Sequence, residues 1–130
     1  MKKIETKTAP KAVCPYSQAI SGKGFVFCSG QIGIDPTTGD LVSKDVQRQT
    51  ERVLKNLSEV LVAAGSDMSK VVKAEVFLAD MKDYSAMNEA YTKIFKSMPQ
   101  PARVTVAVSG LPKDALVEIS CIALVKNNEK

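Results

Sequence analysis

The chain has 130 residues, the size of one domain, and its 45% hydrophobic and 25% charged residues sit at the globular average, which excludes a disordered or collagen-like class. The formal charge of +4 comes from 18 Lys and Arg against 14 Asp and Glu, spread along the chain with no basic run, so it is only a weak hint of nucleic-acid binding and fits a steering field for small anions or a solvated surface as well. There is no His, and the three cysteines, Cys14, Cys28 and Cys121, have no C-x-x-C spacing, which argues against a zinc site and removes His-based catalytic triads.

The residues Lys3 to Thr6 read as an edge strand. Ser17 to Ser21 and Phe25 to Ser29 are strand candidates joined by Gly22-Lys23-Gly24, a glycine-rich turn suited to a hairpin. Residues 30–40, with Asp35-Pro36 and Thr38-Gly39, read as a loop. From Asp45 the apolar residues Val46, Val53, Leu54, Leu57, Val60, Leu61 and Ala64 recur at helical spacing, and Gly65 stands where a helix cap belongs. Val71 to Ala79 is β-branched and strand-like. Asp83 is placed to cap a second helix whose apolar stripe is Met87, Tyr91, Ile94, Phe95 and Met98, ended by Pro99 and Pro101. Arg103 to Val108 and Ala115 to Val125 are the last strands, and the six-residue loop between them suggests a hairpin. The series ββ-α-β-α-ββ behind an edge strand predicts a single α+β domain, residues 1–130, with a mixed sheet and both helices on one face. In so short a chain, the cover for the other face is expected to be a second copy. No leader-like apolar stretch and no run of about 20 apolar residues is seen. With unpaired cysteines, the expected location is the reducing cytoplasm.

The candidate chemistry therefore rests on carboxylates, Arg, Tyr and backbone. If the last two strands form a symmetric hairpin, Thr105 faces Glu118 and Arg103 faces Ser120, which sets Arg103 and Glu118 a diagonal step apart on one polar sheet face, away from Val104 and Val106. That pair reads either as an ordinary cross-strand ion pair or as a substrate site in which Arg grips a carboxylate and Glu handles protons.

Four segments in order, Pro15-Tyr16-Ser17-Gln18-Ala19, Ser29-Gly30-Gln31-Ile32-Gly33, Pro101-Ala102-Arg103 and Leu111-Pro112-Lys113-Asp114 through Val117-Glu118-Ile119, resemble the signature segments of the Rid family of enamine and imine deaminases. The resemblance implies a chorismate-mutase-like α+β fold assembled as a homotrimeric barrel, with sites between subunits. It implies hydrolysis of 2-aminoacrylate, 2-iminopropanoate and related 2-imino acids to 2-keto acids and ammonia, with no metal or organic cofactor. Carried onto this chain, Arg103 holds the substrate carboxylate and Glu118 orients water and moves its proton. Tyr16, Ser29, Gly30, Gln31, Asn88 and Thr105 line the pocket.

Two positions depart from the family pattern. Thr105 stands where cysteine is frequent, and Cys14 stands where glycine precedes Pro15, so a shifted Tyr16 loop is expected. The competing readings are a non-catalytic binder of small keto acids and a ribonuclease or translation inhibitor acting on RNA. The second finds neither a phosphate-binding glycine loop nor a basic patch interleaved with aromatics.

Overall fold

A computed structural model describes residues 1–126, and its architecture is one six-stranded mixed sheet backed by two helices. The strands are β1 (Lys2–Ile4), β2 (Ala19–Gly22), β3 (Phe25–Gln31), β4 (Val71–Leu78), β5 (Ala102–Ala107) and β6 (Val117–Leu124). The helices are α1 (Val46–Ala63) and α2 (Tyr84–Phe95). The spatial order is β1-β2-β3-β6-β4-β5. No helix among the described residues is long and apolar enough to cross a membrane.

Local chemistry explains most of these boundaries. The β2–β3 hairpin closes through Lys23 and Gly24, both at positive φ (54° and 84°), the conformation whose twist matches that of the flanking strands. Asp45 caps α1 by accepting from the Arg48 amide at 3.0 Å. At the other end Gly65 (φ 79°) turns the chain left-handed, so that Ser66 N–H reaches the Leu61 carbonyl at 2.8 Å and Gly65 N–H that of Val62 at 3.0 Å. For α2 the sequence expectation needs correcting. Asp83 makes no side-chain cap, because a short 3-10 turn (Met81–Asp83) precedes the helix and is capped by Asp80. The helix also ends at Phe95, short of Met98.

The core lies between the sheet and both helices. Val53, Leu54, Leu57, Val60 and Leu61 of α1 and Met87, Tyr91 and Phe95 of α2 meet Val26, Ala74, Val76, Leu78, Val117 and Ile119 of the strands. Each fully buried Leu or Val adds about 1.5–3 kcal/mol of hydrophobic stabilisation. Alternation leaves the opposite face open, where Phe25, Phe27, Val104, Val106 and Leu124 are 38–48% exposed.

The expected hairpin of the last two strands does not form. The β4–α2–β5 unit places β5 parallel to β4 at the sheet edge, while β6 lies antiparallel on the other flank of β4. A parallel neighbour requires a long crossover, and α2 supplies it between β4 and β5. The connection to β6 then passes over the end of β4, held by Val108 N–H on the Leu78 carbonyl and Ala79 N–H on the Leu116 carbonyl. As a result Arg103 aligns with Ala74 and Cys121 on the helix side, whereas Glu118 aligns with Phe77 and Val106 on the open side. The two residues lie on opposite faces of the sheet, and Ser120 hydrogen-bonds Glu75 (3.1 Å) in place of facing Arg103.

Candidate active site

Glu118 lines one cleft of the protein. Between Cys28 and Gln31, β3 advances three residues while β6 advances two, a bulge that carries Ser29 and Gly30 out of the regular ladder. Gly30 thereby lies against the Glu118 side chain, and a Cβ at this position would fall 2.1 Å from Oε2. Gly30 does not have a positive φ, so what this glycine provides here is room. The Glu118 carboxylate has no Lys or Arg within salt-bridge distance among the described residues, and partial burial raises its pKa above the usual 4.5.

The cleft around it has a volume of about 570 Å³. Ser29, Gly30, Gln31 and Glu118 form its polar floor, Tyr16 and Cys14 stand at its mouth, and Val13, Ile32 and Ile34 give it an apolar wall. Ser29 is anchored by its hydroxyl on the Ser17 carbonyl (2.6 Å) and its amide on the Gln18 carbonyl (3.0 Å). Cys14 is exposed and has no positive φ, so the position asks nothing of a glycine, and the expected backbone penalty does not arise. Lys113 and Asp114, both at φ 56°, form a strained turn ahead of β6. A larger cavity of about 620 Å³ lies on the far side of Tyr16, lined by Lys3, Lys7 and Lys11. It contains none of Ser29, Gly30 or Glu118.

Several buried amides hold these loops, and the sequence reading passed over them. Gln18 accepts from Thr6 N–H (2.7 Å) and donates to the Pro10 carbonyl (2.7 Å), tying down the N-terminal segment. Gln49 accepts from Leu116 N–H (2.8 Å), and Asn56 donates to the carbonyls of Ile32 and Ile34. A signal was present, since Gln49 and Asn56 occur at helical spacing with Val53, Leu57 and Val60. Polar residues on an apolar stripe mark backbone that needs partners.

The Arg103 group is separate. Its guanidinium carbon lies 4.8 Å from the Tyr91 ring centroid and 5.8 Å from that of Tyr84, with one Nη at 3.4 Å from the Tyr84 hydroxyl. No carboxylate pairs with it among the described residues. Asn88 is half-buried on α2, four residues after Tyr84 and three before Tyr91, on the same helix face. The Thr105 and Tyr91 hydroxyls are buried without a protein partner, and burial raises the Tyr91 pKa while nearby Arg103 opposes the rise. The protomer thus gathers Tyr16, Ser29, Gly30, Gln31 and Glu118 at one place and Asn88, Arg103 and Thr105 at another.

Comparison with known proteins gives a consistent result. The family model described as Endoribonuclease L-PSP matches residues 6–125. The chain is 50% identical over 120 residues to Reactive Intermediate Deaminase A, chloroplastic, of Arabidopsis thaliana, covering 92% of this chain and 64% of that protein. It is 46% identical over 121 residues to human 2-iminobutanoate/2-iminopropanoate deaminase, covering 93% and 88%. Among solved structures, a conserved Rid-family protein of Yersinia pestis superposes with a TM-score of 0.93 at 51% identity, over 95% of this chain and 98% of that one.

Proposed function

The chain belongs to the Rid family, and on that footing we propose that it is a 2-iminobutanoate/2-iminopropanoate deaminase, hydrolysing 2-imino acids and their enamine tautomers, 2-aminoacrylate among them, to 2-keto acids and ammonia. The observation that carries this reading is Glu118, an unpaired carboxylate of raised pKa held against the glycine backbone of a water-accessible cleft. Imine hydrolysis needs water placed at the C=N carbon and a group that gives and takes protons near neutral pH.

In this mechanism an enamine first takes a proton at its terminal carbon and loses one from its nitrogen, becoming the imine. Glu118 removes a proton from water as the oxygen attacks C2 and passes that proton to the imine nitrogen, which yields a carbinolamine and restores the carboxylate. Collapse of the carbinolamine forms the carbonyl, transfers the hydroxyl proton back through Glu118, and expels the nitrogen as ammonia. Arg103 holds the substrate carboxylate through two charge-assisted hydrogen bonds. Tyr16 closes the mouth, Ser29, Gly30 and Gln31 line the floor, and Asn88 and Thr105 line the wall beside Arg103. These steps use no metal or organic cofactor.

Because Arg103 and Glu118 occupy opposite faces of one protomer's sheet, the reaction calls for a second copy that brings its Arg103 group to the Glu118 cleft. The exposed apolar residues of the open face support an assembly there, and the homotrimer implied by the family places three sheets around a central barrel. The three free thiols fit a reducing cytoplasm.

The test generates 2-aminoacrylate with a pyridoxal-phosphate dehydratase acting on serine and follows the protein-dependent acceleration of pyruvate release. Arg103→Ala is expected to lose both acceleration and keto-acid binding by about a hundredfold or more. Glu118→Gln is expected to keep binding and lose turnover. A wild-type protein that binds keto acids but accelerates no imine is a binder only, whereas RNA binding that weakens steeply with salt points to the nucleic-acid reading.

A further inference from the structure

An arginine that must receive a carboxylate has to be held in place without being neutralised. A salt-bridged Arg must give up its partner before it binds, and a free one loses rotamer entropy on binding. In this protein neither cost applies to Arg103. It has no carboxylate partner among the described residues, yet it is flanked by two tyrosines of α2. Tyr84 and Tyr91 are seven residues apart, two helical turns or about 10.5 Å along one face. The guanidinium carbon lies between them, 5.8 Å from one centroid and 4.8 Å from the other.

We propose that Tyr84 and Tyr91 are positioning residues that cradle the Arg103 guanidinium between two aromatic rings, aiming it at the substrate carboxylate while leaving its charge free. The inference rests on the deaminase reading for its functional consequence, and on geometry alone for the cradle. Ring quadrupoles attract a cation without accepting its protons, so the N–H donors stay available for a planar anion. The hydrogen bond to the Tyr84 hydroxyl is long, 3.4 Å, and engages only one of the five guanidinium donors. Tyr91 is itself buried, 4% exposed and packed at a 37° tilt with its centroid 4.7 Å from that of Phe95, and burial raises its pKa. Tyr84 is 39% exposed and meets the guanidinium at the hydroxyl end of its ring.

Two readouts test the cradle. In NMR spectra, with Arg103→Lys used for assignment, the Arg103 Nε–H resonance is expected to be ring-current shifted in wild type, Tyr84→Phe and Tyr91→Phe. It should move toward the free-arginine position in Tyr84→Leu and in Tyr91→Leu, each of which leaves one ring in place. In parallel, calorimetry with 2-oxobutanoate should give a Kd raised roughly tenfold in the Leu variants and within about twofold of wild type in the Phe variants, with KM for the imine following Kd and kcat little changed. Tyr84→Leu is a surface change and keeps the experiment decisive if Tyr91→Leu fails to fold. Leu variants with an unmoved resonance and wild-type Kd overturn the cradle, as do Phe variants as impaired as Leu. A wild-type protein that shows the shifted resonance but binds no keto acid leaves the cradle standing and removes the deaminase reading.

Discussion

Substituting Gly30 with alanine isolates the placement of Glu118. The added Cβ would fall 2.1 Å from Oε2, 2.9 Å from Cδ and 3.1 Å from Cγ of Glu118. An ordinary carbon–oxygen approach is about 3.3 Å, so the carboxylate must retreat by roughly 1.2 Å. The backbone at Gly30 has no positive φ, and the clash is with the end of a flexible side chain at a cleft, so the fold should adapt through a rotamer change costing about 1 kcal/mol. Catalysis is less tolerant, since a misplacement of about 1 Å costs on the order of a hundredfold in rate. Gly30→Ala is therefore expected to lower kcat by about two orders of magnitude in the coupled pyruvate assay, with keto-acid Kd changed far less because Arg103 is untouched. Combined with Glu118→Gln, it should cost almost nothing further, because the two changes disable the same group. A Gly30→Ala enzyme that turns over at the wild-type rate, or a double variant whose losses multiply, would refute the contact as the reason for the glycine.

The raised Glu118 pKa has consequences for both activity and stability. The acid limb of kcat/KM should lie above pH 4.5 and vanish with Glu118→Gln. Because burial disfavours the charged form in the native state, the stability contributed by the protonated group is present at low pH and lost as pH rises through the folded pKa. Glu118→Gln should thus melt at a higher temperature than wild type at pH 7, with the gap closing near pH 4, whereas a lower melting temperature at pH 7 contradicts the desolvation argument. Gly65→Ala, at φ 79° with only Val125 near the new Cβ at 3.9 Å, should cost about 1 kcal/mol through backbone conformation alone. Gly110→Ala, with nothing within 4 Å and no positive φ, should be near neutral when both variants are compared by urea titration. Alkylation of the exposed Cys14 should slow under saturating 2-keto acid, and equal rates would take the Tyr16 loop out of the site. Sedimentation equilibrium is expected to report three times the 14.0 kDa chain mass, and a monomer at micromolar concentration removes the second copy that the site requires.

What the sequence by itself determined is what local chemistry governs. The span of α1 follows from its apolar period and the Asp45 and Gly65 caps, the β2–β3 hairpin from its glycine-rich turn, and the strand β4 from its β-branched run. Four family segments also pointed to the residues that gather in the cleft, because Tyr16, Ser29, Gly30 and Gln31 belong to continuous stretches that tertiary contacts only have to bring together. The partner of β6 could not be read in this way. A six-residue loop is long enough both for a hairpin and for passing over the end of one strand, and the choice was made by α2, whose crossover reserves the edge of β4 for β5. That single pairing reverses the relation of Arg103 to Glu118, from neighbours on one face to residues on opposite faces, since side chains alternate along each strand. The cradle of Tyr84 and Tyr91 was likewise invisible, because in sequence Tyr91 is simply one more residue on an apolar stripe, and only the packing of α2 over the edge strand brings a cation to its ring.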